Sequence, residues 1–308
     1  MFFSALWKRQ AREALRHHWL TGLLIALVVN LPALLVQGIA AATGNDLMTR
    51  VTDLLYASLN AGGTVVDQER LAAGLAALRD ASGVWVMQGL SFAAWLLTPC
   101  LTIGMLHWLQ MLLRKQAAGD VTAVFSRMGT FFKGIGLWLY TALRVFLWML
   151  PGLALNVAAM LPLWLSDASS RISVLSAANT TVGLQAAAMG ITAALAVMAM
   201  LKYALGAQIL ADHPEKGPVE AARESNRMTR GKKGMLFSLY LSFLVWYLLE
   251  ITLVSVMMDM MGPVIALMAE MLCSLAISVY LNSALTGFYL TALRSESAAQ
   301  PEGEAETE

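Results

Sequence analysis

Charge is scarce in this sequence. Only 13% of its 308 residues are charged, against 58% hydrophobic, whereas an ordinary soluble domain carries about a quarter charged residues. That balance excludes a typical water-soluble fold and leaves a membrane protein as the class. Cysteine is scarcer still. Cys100 and Cys273 stand alone inside apolar runs without CxxC or Cys/His spacing, so both thiols are expected to be free, with no disulfide or zinc framework. The chain also lacks HExxH, GxSxG, the Walker-type GxxxxGKS/T and GxGxxG, which removes the metalloprotease, serine-hydrolase and nucleotide-binding signatures. His17, His18, His107 and His213 have no convincing partners by spacing. No enzyme activity, cofactor or metal is therefore expected.

What the chain has in abundance is long apolar runs. Crossing about 30 Å of hydrocarbon takes roughly 20 apolar residues in a helix, because a backbone amide left unpaired there has no water to satisfy it. Six stretches qualify: Leu20 to Ala42, Val84 to Leu113, Gly134 to Leu165, Val182 to Ala211, Met235 to Met258 and Gly262 to Leu293. Several exceed the minimum, which predicts tilt, overhang or kinks at Pro99, Pro151 and Pro162. The fold class is thus all-α, a polytopic transmembrane helical bundle of about six spans.

The 21 lysines and arginines set the orientation, since short cytoplasmic segments collect them. Four precede the first span (Lys8, Arg9, Arg12, Arg16), four lie between Arg114 and Lys133, six between Lys216 and Lys233, and Arg294 follows the last span. The alternate connections hold only Arg50, Arg70, Arg79 and Arg171. Both termini should be cytoplasmic, in a multi-pass protein of the cell membrane whose cytoplasmic face meets anionic lipid head groups rather than nucleic acid. Trp19, Trp108 and Trp138 on one side, and Trp85 and Trp164 on the other, fit interfacial belts. Basic residues, an apolar run and Ala40 to Ala42 also describe a signal peptide. The run exceeds a usual signal-peptide core, however, and a retained span keeps both basic ends inside.

The six-span domain is expected over residues 1–294, followed by a disordered acidic tail over 295–308, which is poor in apolar residues. An extracytoplasmic loop over 43–83 should hold two short helices around Gly62-Gly63, with Leu71, Leu75 and Leu78 on one face of the second and Asp67 as its cap. A basic cytoplasmic helix is expected within 212–233. Pro218 can open it, Gly231 can end it, and Glu220 with Arg223 and Glu224 with Arg227 can pair three residues apart. Its apolar side, from Val219, Ala222 and Met228, is thin, so it should rest at the interface, with Lys232 and Lys233 anchoring the fifth span.

Across this region the chain resembles the bacterial integral membrane family known as domain of unknown function 975. The family has an aspartate and proline, a Glu-Ala pair, a serine, Met-x-Gly, and a Leu-Phe run ending in tryptophan. Asp212, Pro214, Glu220, Ala221, Ser225, Met228, Gly231, Leu236, Phe237 and Trp246 match it, although two residues rather than one separate Met228 from Gly231. "KRQAREAL", "FLWMLPG" and "GFYLTAL" resemble its other segments. About fifty residues between Pro151-Gly152 and "KYALGAQILAD" depart from the family's spacing. The resemblance implies membrane residence and a helical fold, and no reaction.

Four ionisable residues fall inside the spans: Arg144, Lys202, Glu250 and Glu270. Such groups normally face the bundle interior with a partner. One reading makes Arg144, Glu250 and Glu270 a polar path in a small-solute transporter or permease subunit, to which the Glu-Ala-Ala run at 220–222 adds a slight likeness to an ATPase-docking segment. The other makes them a buried ion pair that fixes helix register, with Lys202 snorkelling. Ala186, Gly190 and Ala194 form a strip that permits close packing against a neighbouring span, a membrane-protein partner or a second copy. The methionines of Val256 to Gly262, with Met268 and Met271, are read as flexible apolar filler rather than a copper site. A non-enzymatic accessory or scaffold protein is the leading expectation, and the transporter is its alternative.

Overall fold

The computed structural model describes residues 3–44, 47–60, 68–116, 119–161 and 171–297, and among these it is helical throughout, without strands. In chain order the helices are α1 (Phe3–Leu15), α2 (Trp19–Thr43), α3 (Leu47–Asn60), α4 (Gln68–Asp80), α5 (Ser82–Leu113), a 3-10 segment η1 (Val121–Thr130) and α6 (Phe131–Ala158). There follow α7 (Arg171–Tyr203), α8 (Gly206–Asp212), α9 (Pro218–Met228), α10 (Lys233–Met261) and α11 (Pro263–Ser297). Six helical stretches are long and apolar enough to span a membrane: α2, α5, η1 with α6, α7 with α8, α10 and α11. The expected segments are therefore all present. Pro32, Pro99 and Pro151 lie inside α2, α5 and α6, while Pro162, Trp164, Asp67 and the tail from residue 298 lie outside the described residues.

Burial is concentrated at one end of the bundle. Helix α10 buries only Leu236, Leu239 and Phe243, all in its first eleven residues, while α5 buries ten of the thirteen residues from Cys100 to Leu112. Toward the other end, the spans associate mainly as pairs, α2 with α5, α6 with α7, and α10 with α11. Their outer faces carry exposed leucines, methionines and aromatics. An apolar face exposed over such lengths is stable only in hydrocarbon, where there is no hydrophobic penalty for leaving it uncovered.

The connections that end in the well-packed layer are the basic ones. Trp7 Nε1 donates to Thr291 Oγ1 at 3.2 Å, Lys133 Nζ to the carbonyl of Pro214 at 2.6 Å, and Lys232 Nζ to Ser295 Oγ at 2.6 Å. These contacts gather α1, the start of α6, the α8–α10 connection and the end of α11 on one face. Sequence reading misses α1 as a separate helix. Its stripe Trp7, Ala11 and Leu15 has amphipathic spacing and is fully buried against α11, α10 and α5, with Trp7 edge-on to Phe288 at 4.9 Å. Lys8 bridges to α10, donating to the Ser242 carbonyl at 3.1 Å and lying 4.6 Å from the Phe243 ring centre. Burial lowers its pKa, with Arg12 adding to the shift.

Trp108 corrects an expectation. Instead of joining an interfacial belt it is completely buried, and its indole nitrogen reaches the Gly119 carbonyl at 3.4 Å, because η1 folds back over α5. That return needs Gly104, where an added Cβ would overlap the Val124 carbonyl. The strip Ala186, Gly190 and Ala194 faces outward. Helix α7 meets α6 through its other side, where Thr192 packs on Gly152 and Asn156 bonds to both Thr192 and Gln185 (2.9 and 2.7 Å). Helices α3 and α4 occur where two short helices are expected and pack on one another. Both cysteines are free.

Replacing Gly104 with alanine forces backbone apart in a packed layer and should destabilise the protein by about 1–3 kcal/mol. Gly89, whose Cβ position is open, should accept alanine with no loss, since alanine is the better helix former by about 0.5–1 kcal/mol. Unfolding in detergent micelles, followed by circular dichroism, checks the pair.

Candidate functional site

The most constructed part of the molecule is a polar ladder between α5, α8 and α11. Gln110 and Arg114 are four residues apart at the end of α5, as are Gln208 and Asp212 on α8, and such spacing puts each pair on one helix face. Arg114 donates two parallel hydrogen bonds to Asp212, Nη1 to Oδ1 at 2.8 Å and Nη2 to Oδ2 at 2.7 Å. The Tyr289 hydroxyl adds a third to Oδ2 at 2.9 Å. The Asp212 side chain is 10% exposed and that of Arg114 31%. Such a fork geometry binds carboxylate more strongly than a single neutral bond, and these bonds raise the Arg114 pKa further above its ordinary value.

One turn deeper, Gln110 Nε2 donates to the Gln208 carbonyl at 2.7 Å, and Gln208 Nε2 donates to Thr286 Oγ1 at 3.1 Å. All three residues are fully or almost fully buried. Gln110 Oε1 and the nearby Ser283 Oγ have no protein partner. Burying these amides without partners would cost several kcal/mol each in an apolar setting, so the ladder specifies which three helices meet and at what register.

Helix α9 sits against this ladder. Gly217-Pro218 opens it as expected, with the Gly217 amide donating to Glu220 Oε2 at 3.4 Å, so Glu220 caps the helix instead of pairing with Arg223. Glu224 takes Lys216 at 2.6 Å and lies 3.8 Å from Arg227. The apolar side of the helix is more extensively packed than its thin sequence pattern suggests. Ala221, Ala222, Ser225 and Met228 are buried against α6, α7 and α8, and the Gly136 backbone comes close enough that a Cβ would touch Pro218 at 3.1 Å. Ser225 repairs the break between α7 and α8. Its Oγ donates to the Lys202 carbonyl at 2.9 Å and accepts the Leu205 amide at 3.1 Å, satisfying two backbone groups freed where the helix unwinds. Gly231, with φ +78°, makes the left-handed turn that lets the chain leave α9, before Lys232 and Lys233 start α10.

Of the residues singled out inside the spans, Glu250 and Glu270 come within electrostatic reach of one another, but Arg144 and Lys202 stand apart from them. Among the described residues no ion pair joins Arg144 to Glu250 or Glu270. Arg144 is exposed on α6, with Nε 3.2 Å from the Tyr140 hydroxyl. Glu250 and Glu270 lie on the paired helices α10 and α11, Glu270 on an exposed position. Lys202 Nζ stands 3.4 Å over the Trp148 ring. Arg144 thus lies against the Tyr140 ring, 5.3 Å from its centre, instead of in the expected ion pair, and Lys202, expected to snorkel, rests on an aromatic face. Sequence reading also misses Arg114, Gln110, Gln208, Thr286 and Tyr289 as site residues. The available signal was the i, i+4 repeat of polar residues at two span ends.

Removing the Asp212 carboxylate (Asp212→Ala) leaves Arg114 and Tyr289 unsatisfied and should destabilise by about 1.5–3 kcal/mol for the charged bonds alone. Arg114→Gln should do nearly as much, and the double variant should be little worse than either single one, the signature of coupling. Arg144→Gln should fall within about 0.5 kcal/mol of the parent. Denaturation midpoints measured in one detergent decide between these outcomes.

The layout places the motif residues in structural roles that a resemblance in sequence leaves open: Asp212 in the ladder, Glu220 and Gly231 at the ends of α9, and Ser225 at the helix break. No curated protein and no solved structure matches the chain. A family model matches residues 4–296, nearly the whole sequence and every helix of the bundle, and the chain accordingly belongs to the family described as protein of unknown function, DUF975.

Proposed function

We propose that the protein is a non-enzymatic accessory or scaffold protein of the bacterial cytoplasmic membrane, with both termini in the cytoplasm and its basic face as the working surface. One observation carries the reading. The polar and packing investment lies in the layer that holds α1, α8 and α9 to the ends of the spans, whereas Glu250 and Glu270 neighbour one another without Arg144 or Lys202 joining them in a path. Helix α9 and the turn after it present Arg223, Arg227 and Arg230 outward, next to Lys232 and Lys233, a density of positive charge that attracts anionic lipid by about 1 kcal/mol per residue near the surface. Its Ala221 and Ala222 are buried, which supports a packing role for the Glu-Ala-Ala run over docking to an ATPase.

A second reading, a small-solute transporter, is favoured by a different feature. The unwound turn between α7 and α8 adjoins a cavity of about 270 Å³ lined by Trp95, Trp138, Thr141 and Tyr203, and discontinuous helices line substrate sites in many transporters. Arg144 is connected to it through Tyr140, which meets Tyr203 edge-on at 6.3 Å.

Cysteines introduced at Arg9, Arg223 and Arg294 should react with an impermeant maleimide only after the cells are opened, and one at Ala72 should react in intact cells. In sealed proteoliposomes, Arg144→Gln, Glu250→Gln and Glu270→Gln should match the parent in ion and solute flux. A parental flux abolished in stably folded variants would instead establish the transporter reading.

A further inference from the structure

A cavity of about 650 Å³ opens on the basic face where α2, α5 and α11 leave the apolar zone. Its floor is apolar, formed by Leu112, Leu113 and Leu290, and its walls carry His17, His18, Lys115 and Arg294. Glu13, the carboxylate on the wall, is engaged by Arg9 at 2.8 Å. Helix α5 ends beside it in a tight reversal. The Lys115 amide donates to the Leu112 carbonyl at 3.1 Å and the Gln116 amide to the Met111 carbonyl at 2.9 Å, a pattern whose turning residue is ordinarily glycine because it takes a positive φ. Here that residue is Lys115, at φ +58°, the one non-glycine residue with positive φ among those described. A lysine held where glycine would be conformationally cheaper, on the wall of a cavity that also carries Arg294, points to a role for its charge.

We infer that this cavity binds a phosphate-bearing ligand, its phosphate held by Lys115 and Arg294 with the two histidines alongside, and its apolar part, where it has one, on the leucine floor. The inference rests on the basic face meeting the membrane surface, and it names a discrete site within that face. The source of the phosphate is either a phospholipid head group or a soluble phosphate.

The test is binding to the full chain in detergent, with phosphatidylglycerol, phosphatidylcholine and inorganic phosphate as probes, by native mass spectrometry and calorimetry. Lys115→Gly and Arg294→Gln should each weaken the bound probe about fivefold, the loss of one basic contact. Lys115→Gly should meanwhile keep or raise the melting temperature, because glycine relieves the positive φ. Arg230→Gln removes the same charge from the same face outside the cavity and should leave binding unchanged. Preference for phosphatidylglycerol over phosphatidylcholine, without binding of inorganic phosphate, assigns a lipid; saturable binding of inorganic phosphate assigns a soluble ligand. If Arg230→Gln weakens binding as much as Lys115→Gly, the attraction is diffuse, and the site is refuted while the membrane-facing role of the basic surface stands. Absence of binding by any probe, or parental binding in the Lys115→Gly, Arg294→Gln double variant, refutes the site outright.

Discussion

The fork between Arg114 and Asp212 is the constraint on which the packed layer depends. It joins the end of one span to the end of another ninety-eight positions away in sequence, and Tyr289 brings in a third. Helix association in lipid has little hydrophobic drive, so packing and polar contacts must select the partners. Here the selection is made by groups that have few alternatives: a carboxylate with three donors, and two glutamines and a threonine bonded in sequence one turn deeper. Helix α8 is only seven residues long, and without those bonds its position would rest on Ile209, Leu210 and a few small residues.

Once α8 is fixed, the neighbouring features follow from it. The turn at Tyr203 to Leu205 leaves backbone groups that Ser225 satisfies, and this holds α9 against α8 with its alanines inward and its arginines outward. Helix α1 is held separately, by buried Trp7 and half-buried Lys8, but on the same face. The protein thus has a layer of dense packing beneath a basic surface and, beyond it, pairs of helices that have little contact with one another. The difference between the two regions is one of solvent. Where the chain meets water and head groups, buried apolar residues and capped helix ends hold it. Where it meets hydrocarbon, an exposed leucine costs nothing.

Much of this architecture is legible in the sequence, because lipid imposes a simple rule. A run of twenty apolar residues announces a span, and the alternation of arginine-rich with arginine-poor connections groups the ends. Pro218 as the first residue of α9 and Gly231 as the turn after it are local backbone chemistry and could be read directly. The ladder could not be read, since Gln110 and Gln208 look like any polar residue near a span end until the fold places them together. The expected ion pair between Arg144 and the intramembrane glutamates is absent for a related reason: the rule that buried charges find partners names no partner, and Arg144 finds the ring of Tyr140. Trp108 was misplaced because η1 covers it, a reversal signalled only by the absence of a side chain at Gly104.

The central claim is that the polar ladder clamps α8 and α9 to the span ends. Hydrogen–deuterium exchange of the protein in lipid nanodiscs tests it most directly. The account predicts that the amides of 207–212 and 221–228 exchange as slowly as those in the middle of the spans, and that they lose this protection together when Asp212 is replaced by asparagine. Rapid exchange of both segments in the parent protein, or protection that is indifferent to the loss of the Asp212 charge, would contradict it.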